Sequence, residues 1–325
     1  MYTNDHEHMV EDKCYQVSHI QKVVNKIKQN FQNYFEQFLA SQQSHIPQER
    51  VDELHDKFIV DDNGKYLILD RSRACQELFE EAISDFKKDR KIYQDLFNQE
   101  LLEEYEDDPQ QFKARALKID TPIIRKTLQN VYAEQLDKYR AAFARANAMD
   151  LLTFVMRLSK FSEDYVKNKY NAEKFEDLVY YKDFDLTILD TEMYTVHGVI
   201  GGGIKSTMLY KNYPEVFSCR SRLAVWALWY LVGKEKFGCN MDSEFLMIDL
   251  KKNSTQQNYF YPYELFEFYA LQIYILIKGA AKQLGVKVDN KYRFVYVDAF
   301  LSFIGLDHIG EINFLSKLST ETSYE

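Results

Sequence analysis

VSHIQKVVNKIKQNFQNYFEQF, residues 17–38, carries apolar side chains at Val17, Ile20, Val24, Ile27, Phe31, Tyr34 and Phe38. The steps alternate between three and four, with polar residues between, which predicts an amphipathic helix with a coiled-coil-like seam. Such a seam can be buried inside its own helical bundle. It can also pair with a second copy or a helical protein partner, which would make the chain a non-catalytic interaction or scaffold protein.

Downstream, KFIVDDNGKYLILD (57–70) is two β-rich runs around Asn63-Gly64, the pair that supplies the positive φ angles of a tight hairpin. Ser72 is then placed to cap a helix with Phe79, Ile83, Phe86, Tyr93 and Phe97 on one face, closed by the acidic EEYEDDP (103–109). Thr121-Pro122 opens another long helix, running with a break near Asn147 through Leu158. Residues 1–180 thus read as a helical region with a β-hairpin at 57–70.

After Lys182 the pattern changes. Short β-like pieces are expected at 184–189 (FDLTIL), 244–252 (EFLMIDLKK) and 292–300 (YRFVYVDAF). Helices are expected at about 205–232 and at 262–284, the latter bounded by Pro262 and Gly285. Residues 181–325 therefore form a second, α/β region with a small sheet. The fold class is α+β, predominantly helical.

At 325 residues the chain has enough length for a substantial core without disulfides. Cys14, Cys75, Cys219 and Cys239 show no C-x-x-C spacing, which argues against a zinc ribbon or thioredoxin-type site and fits a reducing compartment. MYTNDHEHMVEDK has no apolar core of a signal peptide, and FEFYALQIYILI (266–277) is shorter than the roughly 20 residues a membrane span needs. A cytoplasmic protein without membrane contact is expected. A net charge of −9 argues against a generally basic surface, yet lysines and arginines outnumber acids between 198 and 252.

That reversal surrounds GVIGGGIKST (198–207). A Walker A loop needs glycine before its lysine, and Ile204 stands there. The run Gly201-x-Gly203-x-Lys205-Ser206 instead resembles the hairpin of helix-hairpin-helix DNA-binding modules, and YPEVF (213–217) is similar to the segment that follows it in DNA glycosylases of that type. The resemblance spans about 190–220. It implies that Gly201, Gly203, Lys205 and Ser206, with Arg220 and Arg222 nearby, contact a nucleic-acid backbone, DNA above all. Glycosylase chemistry does not carry over, because CRSR (219–222) stands where that family has its aspartate. The bland alternative is a glycine turn that lets two helices approach.

In DSEFLMIDLKK (242–252), strand alternation puts Asp249 and Lys251 on one face. This resembles the D-x-K half of the PD-(D/E)XK nuclease motif, over about 240–300. It implies Asp249 as ligand of Mg2+ or another divalent metal and Lys251 as the residue that positions water. The family's earlier acid would be Asp185 or Asp190. Set against this is a surface ion pair at a strand end.

Neither His197 nor His308 lies in a metal-ligand spacing. The aromatic run NYFYPYELFEFY (258–269) either stacks on unpaired bases or seals a core seam, and Trp226, Trp229 and Tyr230 sit at core-like helical spacing. These signs together lead to a DNA-binding protein, with metal-dependent cleavage in restriction or antiviral defence as its specific extension.

Overall fold

The computed structural model describes residues 10–42, 58–60, 66–68, 71–130, 136–239, 243–249 and 253–317. A 3-10 turn at Asp12–Tyr15 leads into α1 (Val17–Ser41), followed by the hairpin β1 (Phe58–Val60) and β2 (Tyr66–Ile68). The helices α2 (Arg71–Leu96), α3 (Gln99–Glu104), α4 (Pro122–Gln129), α5 (Asp137–Arg145) and α6 (Ala148–Asn168) come next, with a π-helical segment at Phe112–Asp120. Beyond them lie α7 (Gly202–Asn212), α8 (Arg222–Leu231), the pair β3 (Leu246–Asp249) and β4 (Ser254–Gln257), then α9 (Tyr263–Gln283), α10 (Arg293–Asp307) and α11 (Ile309–Ser316). The fold is α+β and predominantly helical.

The seam of α1 is spent inside the molecule. Ile20, Val24, Ile27, Phe31 and Phe38 are buried, joined by Val23, Phe35 and Leu39, while Val17 at the edge is 65% exposed. Their partners are α2, α8, α9 and α10, so contacts reach from the first helix to elements well beyond residue 180. Burial of each large apolar side chain contributes about 1.5–3 kcal/mol, which ties α1 firmly to this core.

α10 is the centre of the packing, in contact with α1, α2, α8 and α9. Phe294, Val295, Tyr296 and Val297 are all buried, which corrects the strand expected at 292–300. A continuous apolar run reads alike as buried strand or buried helix, and here neighbours on every side hide the helical period. Its first turn is completed from outside, as Phe294 N donates to Pro214 O at 3.0 Å.

The strand expected at 184–189 is also absent. Two 3-10 turns, Tyr181–Phe184 and Thr187–Asp190, are joined through Asp185 at φ +55°, and the Leu186 amide donates to the Glu264 carboxylate at 2.8 Å. A left-handed residue and a side-chain acceptor replace the ladder. β3 does form, but its partner is the polar stretch Ser254–Gln257, in register from Leu246↔Gln257 to Asp249↔Ser254. Polar residues without alternation gave no strand signal there.

Other boundaries need smaller changes. The helix expected at 205–232 is broken between Asn212 and Arg222, where Ser221 caps α8 by accepting from Ala224 N at 3.1 Å. Ser72 lies inside α2, which starts at Arg71, so it is not the cap. Pro122 begins α4 and Asn147 caps α6 near the expected break, but the long helix expected from Pro122 ends already at Gln129, where Asn130 leaves helical geometry at ψ 80°, and α5 is a separate helix. Residues 131–135 of that stretch, and the Asn63-Gly64 turn between the paired β1 and β2, lie outside the described residues. α9 starts after Pro262 and ends before Gly285 at φ +72°, close to its expected bounds. Among the described residues no helix is long and apolar enough to cross a membrane.

Candidate metal centre

Packing α1 onto the C-terminal half brings together two arms that are far apart in sequence. The first is Cys14-x4-His19, with Cys14 in the turn before α1 and His19 in its first helical turn. The second is Cys239-x4-Glu244, between α8 and β3. One ligand atom from each of the four side chains falls within 4.8 Å of all the others. Cys14 is 0% exposed, and His19 and Glu244 are each 4%.

The local chain explains the presentation. Phe237 and Gly238 both adopt left-handed φ, +51° and +74°, turning the backbone so that Cys239 faces α1. Lys13, beside Cys14, donates its ammonium to Gly238 O, fixing one arm against the other. Phe237 sets its ring edge-on to His19 with centroids 5.7 Å apart and walls the site with apolar surface.

The side chains already pair two by two. The Cys14 and Cys239 sulfurs are 3.9 Å apart, and His19 Nε2 is hydrogen-bonded directly to Glu244 Oε2. Thiolates about 2.3 Å from a tetrahedral zinc ion lie about 3.8 Å apart, so the sulfurs stand near ligand spacing. Tyr261 donates to Glu244 Oε1 at 2.8 Å, leaving Oε2 to face the site, and Asn258 holds the Glu244 carbonyl at 3.0 Å. Such outer contacts orient a ligating carboxylate.

The surroundings favour the neutral form of both thiols. Burial, then the Glu244 carboxylate and Cys239, push the Cys14 thiol well up, and burial above all raises Cys239. A bound cation reverses this logic, because it deprotonates the thiols that ligate it. The four residues thus form a site able to chelate a divalent metal. Two sulfurs with one imidazole suit zinc far better than the all-oxygen preference of Mg2+.

The glycine turn is ordered differently. Gly201 is the exposed N-cap of α7, without a side-chain cap, and Gly203 lies in the first turn. Lys205 is 2% exposed and turns inward, its ammonium donating to Leu189 O and, at 3.1 Å, to Tyr194 O. Burial lowers its pKa to about 8, against the opposing pull of Asp190. Ser206 Oγ accepts from the Arg220 amide at 3.0 Å. The Arg220 guanidinium donates to Tyr261 O at 2.8 Å and Tyr259 O at 3.1 Å. It lies where a Gly202 Cβ would be, 1.4 Å from that position. Gly201, Gly203, Lys205, Ser206 and Arg220 thus gather around one helix start, with Arg222 opening α8.

Asp249 ends β3 opposite Ser254, while its side chain and Lys251 lie outside the described residues. The element after α9 is the helix α10, not the strand that the nuclease order requires. Asp190 accepts from the Tyr263 amide at 2.7 Å and so caps α9, and Asp185 pairs with Lys169 at 2.7 Å. Of the aromatic run, Tyr261, Tyr263, Phe266 and Tyr269 are core, while Tyr259 and Phe260 are exposed. No protein-family model matches the chain, nor does any curated protein or any solved structure.

Proposed function

We propose that the chain is a zinc-binding protein in which Cys14, His19, Cys239 and Glu244 form a closed four-ligand centre. The carrying observation is the convergence of these four donors within 4.8 Å from opposite ends of the sequence. Four protein ligands without a vacant position are the pattern of a structural zinc site, whereas catalytic sites keep a place for water or substrate. The ion's role is then to fasten the N-terminal turn and α1 to the strand pair.

The test is metal content and titration of the full chain. The expected result is one zinc per chain, removable by a chelator and lost in Cys239→Ser. Cobalt substitution should give thiolate charge-transfer absorption. A folded, reduced chain that takes up neither ion would end the reading.

A second reading, nucleic-acid backbone contact at the start of α7, is favoured by one observation. The helix begins uncapped at an exposed glycine with open space around it, beside Arg220, whose buried Nε has no partner among the described residues. Helix starts of this kind attract phosphate. Labelled duplex and single-stranded DNA would be titrated at low and moderate salt with wild type and Gly201→Glu, a change that meets no atom within 4 Å. Salt-sensitive binding weakened by the new carboxylate supports the reading, and no binding at low salt removes it. Cleavage through Asp249 and Lys251 would require Mg2+ and be lost in Lys251→Ala; retained cleavage removes that assignment.

A further inference from the structure

The way the four ligands pair indicates what the centre becomes when its ion leaves. Cys14 and Cys239 face each other at 3.9 Å, and His19 and Glu244 are hydrogen-bonded to each other. Cys14 also lies against the Glu244 carboxylate, so the two pairs form one cluster. The two sulfurs belong to residues 225 positions apart, so a bond between them would fasten the same two arms as the metal does.

Resting on the zinc reading, we propose that the centre is a peroxide-responsive metal-release site: oxidation joins Cys14 to Cys239 and expels the ion while the arms stay fastened. Cys239 is the partly exposed residue of the two and Cys14 the fully buried one, which sets the order of attack. The Cys239 thiolate attacks one oxygen of hydrogen peroxide, the O–O bond breaks, and hydroxide leaves. The Cys14 thiolate then attacks the Cys239 sulfur of the resulting sulfenic acid and displaces a second hydroxide. Two protons from solvent convert both hydroxides to water. Two electrons pass from the sulfurs to the peroxide, and Zn2+ is released with only His19 and Glu244 left to hold it.

The required movement is small. Closing 3.9 Å to a bond of about 2.05 Å brings the sulfurs together by roughly 2 Å. The other thiols cannot substitute without larger changes, because Cys75 lies on α2 and Cys219 is held beside Thr207. In the oxidised state the His19–Glu244 pair, with Tyr261 on the second carboxylate oxygen, keeps the buried charge satisfied.

The experiment uses full-length, zinc-loaded protein treated with equimolar hydrogen peroxide. Zinc is followed with a chromophoric chelator, free thiols are counted, and linked peptides are identified by mass spectrometry. The expected result is one zinc released as free thiols fall from four to two, a Cys14–Cys239 linked peptide, and recovery of zinc binding after dithiothreitol. Cys75→Ser should behave like wild type in zinc release, which guards against oxidation elsewhere. Zinc retained under peroxide, or released with sulfinic acid in place of the disulfide, overturns the proposal and leaves the zinc reading intact. A reduced chain that never binds zinc fails the zinc reading itself, before peroxide is added.

Discussion

The candidate metal centre and the glycine turn both gather buried polar side chains, yet they handle charge in opposite ways. At the turn, Lys205, Arg220 and Asp190 are already engaged with backbone groups: Leu189 O and Tyr194 O, Tyr261 O and Tyr259 O, and the Tyr263 amide. At the centre, the donors converge on one another, the Cys14 thiol lying against both the Cys239 sulfur and the Glu244 carboxylate. Side chains of a conspicuous sequence motif can therefore be engaged by the fold itself, while an inconspicuous set of residues is left able to take a ligand. Buried polar atoms are informative when one asks which of them the fold has already satisfied.

The largest effect that would sharpen this contrast is on the metal. Removing zinc with a chelator should lower stability by about 4 kcal/mol relative to protein with free zinc at a thousand times its Kd, read as a fall in Tm. Binding should also release protons, about two from the thiols near neutral pH, measurable by calorimetry in buffers of different ionisation enthalpy. Cys14→Ser should abolish both effects. If it leaves them unchanged, the ion sits elsewhere.

The turn offers a steric comparison between adjacent glycines. Gly202→Ala would place its methyl 1.4 Å from the Arg220 guanidinium and should cost about 2–4 kcal/mol in denaturant unfolding. Gly201→Ala meets nothing within 4 Å and should cost under about 1 kcal/mol. Equal costs would mean that Arg220 does not fill the space over Gly202.

A pH measurement tests whether Lys205 is structural. Its folded pKa is about 8, below the ordinary 10.5, so between these values the unfolded chain binds more protons than the native one. Stability should therefore rise with pH across that window, by on the order of 3 kcal/mol for this group alone. Because tyrosines of the unfolded chain also titrate near its upper end, the quantity to read is wild type minus Lys205→Met. A difference flat with pH would show that the ammonium is solvated.

How much could be read from sequence follows the same division. The seam of α1, the ends of α9 and the hairpin pairing were legible because each rests on local periodicity or on a terminal proline or glycine. α10 was misread because its neighbours bury every side, and β4 was missed because Ser254–Gln257 is polar and held by β3 rather than by its own pattern. The four residues able to chelate a metal were invisible because motif reading looks for short spacings, and each arm here contributes a cysteine and one other donor. The repeated Cys-x4 spacing to His19 and to Glu244 was the only local trace, and it is too common to select by itself. Conversely, a resemblance singled out Gly201, Gly203, Lys205, Ser206, Arg220 and Arg222 in the sequence, but nothing in it indicated that Lys205 points inward.

The separation of the two arms also sets a schedule for the newborn chain. At about 5–20 residues per second, the 225 positions from Cys14 to Cys239 take about 11–45 s to synthesise. Through that interval His19 and the apolar seam of α1 lack the partners on α8, α9 and α10 that cover them in the finished molecule. α1 is thus made well before most of the elements that cover its apolar seam, with α2 the early partner among them.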